Sequence, residues 1–186
     1  MCEILQKMAK KRPLILVTND DGITAPGIRA LIQIMNKIGD VVVVAPDKPQ
    51  SGMGHAITLN DPIRLTPVSV FGDIEAYASS GTPVDCVKLA IYEVLKRKPD
   101  LVLSGINHGE NSSTNVLYSG TMSAAIEGAM EGLPSIGFSL STYSDEADFM
   151  QYEEFISKLI NSALENEFPA NTCLNVNIPN LPAKEI

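Results

Sequence analysis

Leu14-Ile15-Leu16-Val17-Thr18-Asn19-Asp20-Asp21-Gly22 runs an apolar segment straight into two adjacent carboxylates and a glycine. Four uncharged residues suited to β-structure in a row predict a strand buried on both faces, as in a parallel sheet. The carboxyl end of such a strand opens onto the ligand crevice of an α/β sheet. Two neighbouring carboxylates repel each other unless a proton or a cation sits between them. Taken alone, the pair reads better as a turn with a helix cap. At the tip of a buried strand, the simplest reading is a hard divalent metal.

Strand and helix signals alternate outward from that junction. Ala25-Pro26 opens a helix over 27–37, in which Ile28, Leu31, Ile32 and Met35 recur at helical spacing. Gly39-Asp40 closes it, and 41–45 reads as a second buried strand. A loop rich in Pro, Gly and Ser follows over 46–56, then shorter strands within 57–78, broken at Asp61-Pro62 and Gly72-Asp73 and paired as hairpins. Thr82-Pro83-Val84-Asp85 predicts a capped helix start, continuing to about residue 96. A third buried strand is expected over 101–104, a small-residue helix over 120–131, a strand over 134–140, a helix over 146–164 and a last strand over 173–178. This alternation predicts one α/β domain over 1–186, a three-layer αβα sandwich with a mostly parallel sheet.

Composition narrows the function. The 186 residues include 45% hydrophobic and 19% charged positions, ordinary values for a globular domain with a sizeable core. A net charge of −8 argues against coating nucleic acid, which calls for a basic face. Trp is absent and aromatics make up only 5%, which disfavours stacking platforms for single strands. Cys2, Cys86 and Cys173 fit neither a disulfide framework nor a Cys-x-x-Cys zinc site. No apolar run reaches the roughly 20 residues of a membrane span, and residues 1–12 carry no apolar signal core. A cytoplasmic protein, with no membrane and no nucleic acid among its partners, is expected.

Three loops follow predicted parallel strands: 19–22, 46–55 and 105–111. Their contents are complementary, with carboxylates in the first, Ser51-Gly52 in the second, and Asn107 and Asn111 in the third. Carboxylate, hydroxyl and amide oxygens suit Mg²⁺, Mn²⁺ or Ca²⁺. Tyr118-Ser119-Gly120-Thr121 opens the small-residue helix, whose free N–H groups could cradle a phosphate or simply be capped by Ser119 or Thr121. His55 and His108 read as solvent-facing loop histidines. Gly-x-Gly-x-x-Gly after the first strand, a Walker lysine loop and Gly-x-Ser-x-Gly are all missing, so dinucleotide, nucleoside triphosphate and serine-hydrolase chemistry are disfavoured.

These residues resemble the SurE survival-protein family of metal-dependent 5′-nucleotidases and acid phosphatases. The matching stretches are Thr18-Asn19-Asp20-Asp21-Gly22, Ala25-Pro26-Gly27, Val44-Ala45-Pro46-Asp47, Ser51-Gly52, Gly81-Thr82-Pro83-Val84-Asp85-Cys86-Val87, Ser104-Gly105-Ile106-Asn107-His108-Gly109, Asn111, Tyr118-Ser119-Gly120-Thr121 and Asn175-Val176-Asn177-Ile178-Pro179. The resemblance implies a Rossmann-like sheet. It implies metal ligation by Asp20, Asp21, Ser51 and Asn107, with one Mg²⁺ or Mn²⁺ per subunit. It places the substrate phosphate on Asn111, Ser119, Gly120 and Thr121, and catalytic roles on Asp20, Asn107 and Ser119.

The implied reaction is hydrolysis of nucleoside 5′-monophosphates, with 3′-nucleotidase and exopolyphosphatase activity as extensions, in dimers or tetramers. Two departures stand out. Ser112-Ser113-Thr114-Asn115 occupies the place of a Gly-Asp-Asp-like turn. The sequence ends at Ile186, where family members continue through a C-terminal arm used in subunit exchange, so a chain lacking that arm is expected. Two alternatives are a non-catalytic nucleotide- or phosphate-binding module and an aspartyl-phosphate phosphatase with Asp20 as nucleophile. The second usually needs Asp-x-Asp and a lysine in the crevice, and Lys88 and Lys98 have no crevice position by sequence.

Overall fold

The computed structural model describes residues 11–186. Cys2 and nearly all of the segment read for a signal lie outside the described residues. Among these residues seven strands form one sheet: β1 (Leu14–Thr18), β2 (Asp40–Pro46), β3 (Leu65–Pro67), β4 (Glu75–Ser79), β5 (Leu101–His108), β6 (Ser135–Ser141) and β7 (Cys173–Pro179). Their order is β3-β4-β2-β1-β5-β6-β7, and every pairing is parallel except β3 with β4. The chain builds outward from β1 first towards β2 and later towards β5. The crevice at the carboxyl ends of β1 and β5 therefore lies where the winding reverses, the usual ligand position in such sheets.

Among the described residues, four α-helices complete the layers: α1 (Pro26–Ile38), α2 (Pro83–Leu89), α3 (Gly120–Met130) and α4 (Glu153–Glu165). Alternation along β1 separates the two cores. Ile15 and Val17 pack with Ile28, Leu31 and Met35 of α1 and Ile156 and Ile160 of α4. Leu16 faces the other way, with Val87 of α2 and Ala124 of α3. The α/β sandwich read from the sequence is the observed fold.

Four elements differ locally from their sequence reading. The helix expected to reach residue 96 gives way after Leu89 to one wide turn over Ala90–Val94, where the Leu95 N–H donates to the Ala90 carbonyl and Leu95 becomes extended. The helix expected from residue 146 starts with a tight turn over Phe149–Tyr152, because the Asp148 carboxylate accepts the Met150 N–H. Within 57–78 only β3 and β4 are strands. Thr58 is tied by its N–H and hydroxyl to the Asp85 carboxylate at the start of α2 rather than to a neighbouring strand.

β5 continues four residues past its expected end. Its pairing with β6 shifts between Ser104 and Asn107, where Gly105 has a φ of 128° and the Gly105–Ile106 peptide is cis. Within the shift Ile106 is buried in the core, and where pairing resumes Asn107 reaches the crevice. Part of what reads as the third loop is thus strand.

Candidate active site

Asp20 leaves β1 and is 4% exposed. The Thr121 hydroxyl donates to its Oδ1 at 2.5 Å, and the N–H groups of Gly120 and Thr121 favour its charged form. Burial nevertheless outweighs these bonds and raises its pKa. Asp21 beside it is half-buried, and its pKa is pushed up to about 6. Burial is the larger cause and the Asp20 charge the second, with the His108 N–H acting the other way. The amino end of α3 therefore points at a carboxylate. A methyl on Gly120 would lie 2.6 Å from the Asp20 Cβ, so glycine permits this approach.

Around the pair, the backbone fixes the other loops. The Asn19 side-chain amide donates to the Gly22 carbonyl, closing the turn that carries both aspartates. The Gln50 N–H donates to the Asp20 carbonyl at 2.7 Å, which brings exposed Ser51 to the same cleft. The Asn107 amide nitrogen is committed to the Gly109 carbonyl at 2.8 Å, so its Oδ1 is the atom left for a ligand. Asn111 is anchored from β6 and β7: its Nδ2 donates to Ser139, its N–H to Asn177, and its carbonyl accepts from Asn175. One of its two amide hydrogens stays free. Ser119 caps α3 by accepting the Met122 N–H, which leaves the hydroxyl proton available.

Asp20, Asp21, Ser51, Asn107, Asn111 and Ser119 all line one cleft of about 340 Å³. Gly120 and Thr121 stand behind Asp20. The Thr121 side chain is fully buried and spends its hydroxyl on that carboxylate, so the phosphate contact read for it cannot come from its side chain. A larger hollow of about 460 Å³ lies near the amino ends of β1 and β5. Its Arg12 and Arg97 are already paired with Asp40 and Asp100.

Neither histidine is a free loop residue. His55 Nε2 is 2.9 Å from Glu127 Oε2, and Lys88 Nζ donates to Glu127 Oε1 at 2.7 Å. Glu127 is buried on α3, so this cluster ties α2, α3 and the Ser51 loop together. His108 ends β5, half-buried, edge-on to Phe149 with centroids 4.9 Å apart and with its Nε2 buried and unpartnered. Glu127 and the asparagines of β7 escaped sequence reasoning because they act across long separations. A glutamate amid the small residues of that helix was the available signal for the first.

Among the described residues, no three His, Cys, Asp or Glu side chains gather into a metal cluster. A cation in this cleft has to draw on Ser and Asn oxygens as well. The donors present are all oxygen, which suits a hard ion, and two crowded carboxylates are the charge such an ion would relieve. The residues fit the group.

A family model described as "Survival protein SurE" matches residues 15–186. The chain belongs to the SurE family. It is 61% identical over 180 residues to "5′-nucleotidase SurE" of Flavobacterium johnsoniae, covering 96% of this chain and 70% of that one. The Bacteroides thetaiotaomicron protein of the same name is 49% identical over 175 residues, covering 94% and 68%. A solved structure titled "Crystal Structure of Sure Protein from Aquifex aeolicus" superposes with a TM-score of 0.84 at 42% identity, covering 94% of this chain and 69% of that one. Among the described residues no helix is long and apolar enough to cross a membrane.

Burial and the Asp20 charge at Asp21 make the fold's stability depend on pH through the Asp21 carboxyl pKa. Folding raises it from 3.8 to about 6. Its contribution therefore favours the metal-free fold below pH 4 and is lost as pH rises through about 6. Asp21→Asn removes that loss. In thermal unfolding with chelator present, the variant gains on the unsubstituted chain between pH 4 and pH 7. A constant difference across that range would contradict the crowding of charge described here.

Proposed function

We propose that this chain hydrolyses nucleoside 5′-monophosphates to nucleoside and phosphate, using a divalent cation. The observation that carries the reading is the convergence of Asp20, Asp21, Ser51 and Asn107 with Asn111 and Ser119 on one cleft. Relatives named 5′-nucleotidase SurE at 49–61% identity support the substrate class. Asp20, Asp21, Ser51 and Asn107 would hold one Mg²⁺ or Mn²⁺ per chain. When bound, such an ion supplies charge neutralisation to a phosphoryl oxygen and a more acidic water.

The chain's own groups do the rest. Thr121 and the amino end of α3 hold Asp20 in one orientation, so the carboxylate is fixed before substrate arrives. The Ser119 hydroxyl and the free amide hydrogen of Asn111 donate to the phosphoryl oxygens, where charge builds in the transition state. Asp20 orients the attacking water or takes its proton. Lys88 Nζ is held by Glu127 and Glu131, and Lys98 Nζ by the Glu131 carbonyl. These pairings support hydrolysis by water over an aspartyl-phosphate route. A homodimer or tetramer in the cytoplasm completes the proposal, and the location is supported by the free thiols of Cys86 and Cys173.

Phosphate release is measured from AMP and GMP with Mg²⁺ or Mn²⁺, against chelator. Turnover that depends on added metal supports the reading. Metal-dependent binding of AMP without any release would favour the non-catalytic module instead.

A further inference from the structure

We propose that Tyr118 and Tyr143 form an aromatic rim that receives the nucleobase of the substrate by stacking, an inference that rests on the nucleotidase reading above. Both tyrosines line the same cleft as Asp20, Asn111 and Ser119. Both are largely exposed, Tyr118 at 65% and Tyr143 at 80%. One exposed aromatic calls for no explanation, whereas two at the mouth of one polar cleft offer an apolar landing surface.

The backbone beneath each ring is fixed. Tyr118 closes the turn over Ser113–Leu117: its N–H donates to the Asn115 carbonyl, and its own carbonyl accepts the Gly54 N–H. It immediately precedes Ser119, so a ring for the leaving group adjoins a donor for the phosphate. Tyr143 rests on the backbone of Gly109, where an added Cβ would come within 2.4–2.6 Å of the ring carbons and hydroxyl oxygen. Gly109 has a φ of 88°, and its N–H donates to the Leu140 and Thr142 carbonyls. A side chain at residue 109 would push the ring aside.

The occupant follows from the chemistry of the two ends. Phosphoryl oxygens are taken at Asn111 and Ser119, leaving the other end of the ester to meet the rings. A cleft of about 340 Å³ falls in the range of small-molecule sites. Every base offers a π-face, so stacking accepts purines and pyrimidines alike, and purines more strongly through their larger area. The sequence carried no such signal, because residues 118 and 143 share no spacing.

The test compares kcat/KM for AMP with that for ribose 5-phosphate, which lacks a base. In Tyr143→Ala and Tyr118→Ala the AMP to ribose 5-phosphate ratio falls about tenfold, within the roughly 5- to 150-fold that stacking confers. The change lies in KM, and inhibition by adenosine weakens by a similar factor. Tyr143→Phe keeps the ratio. An unchanged ratio in both alanine variants would overturn the proposal, as would a parallel fall for both substrates, which marks a merely structural ring. A second copy of the chain covering the rings would instead change the oligomeric mass of the variants and leave the ratio alone, also overturning it. Failure of the unsubstituted chain to release phosphate from either ester sinks the nucleotidase reading itself.

Discussion

Asp20→Asn lowers phosphate release from AMP about 1,000-fold at saturating Mg²⁺ or Mn²⁺, the loss of roughly 4 kcal/mol of transition-state stabilisation. Its thermal stability does not fall. The asparagine oxygen still accepts from Thr121, and burial already disfavours charge at this position. Removing one of two adjacent carboxylates also ends their repulsion. Activity and stability thus move independently, which is how a ligand differs from a packing residue. Thr121→Val gives the milder companion result, a drop of about 10- to 100-fold, because it loosens the carboxylate without removing it. Phosphate release in Asp20→Asn within tenfold of the unsubstituted chain would show that Asp20 has no central role.

Gly27→Ala destabilises the chain by at least about 3 kcal/mol, near the upper end of overpacking costs. Helix propensity alone gives the opposite sign, since alanine in place of glycine favours a helix, here by at most about 1 kcal/mol because Gly27 is in the first turn of α1. Packing wins because the added Cβ would stand 1.9 Å from the Ile106 carbonyl oxygen and 2.9 Å from its carbon. Both atoms belong to backbone, so no rotamer change relieves the clash. α1 would have to lift from β5, opening a core in which Ile28, Leu31 and Ile106 are nearly inaccessible. For a domain of this size the melting temperature falls by about 6–12 °C. Asn107 follows Ile106 in β5, so activity below the melting point declines as well. An unchanged or raised melting temperature would mean that this contact between α1 and β5 is looser than described.

The parts of the fold legible in the sequence are those written locally. β1 reads as buried because nothing in Leu14 to Thr18 is charged, and it is the central strand. Thr82 caps α2 with Asp85 in the first turn, as the order of residue types predicted, and the structure adds that the cap is reciprocal. The hairpin of β3 and β4 surrounds Gly72-Asp73. What escaped depends on partners remote in the chain. The register shift in β5 is set by pairing with β6, and Ser104-Gly105-Ile106 alone reads as the end of a strand.

The site divides the same way. Six of its residues are named by position after a strand or before a helix, and the topology brings them to one cleft. The bond from Thr121 to Asp20 spans 101 residues, and that from His55 to Glu127 spans 72. Without those contacts in view, the start of α3 reads as an open anion cradle. With them it is partly filled by the protein's own carboxylate.

Calorimetric titration of Mn²⁺ into the metal-stripped chain at neutral pH, with AMP hydrolysis followed at each addition, tests the central assignment most directly. One ion binds per chain, phosphate release rises in step with occupancy, and both are lost in Asp20→Asn and Asn107→Ala. Phosphate release without bound Mn²⁺, or binding of the ion undiminished in those two variants, would contradict a cation held by Asp20, Asp21, Ser51 and Asn107.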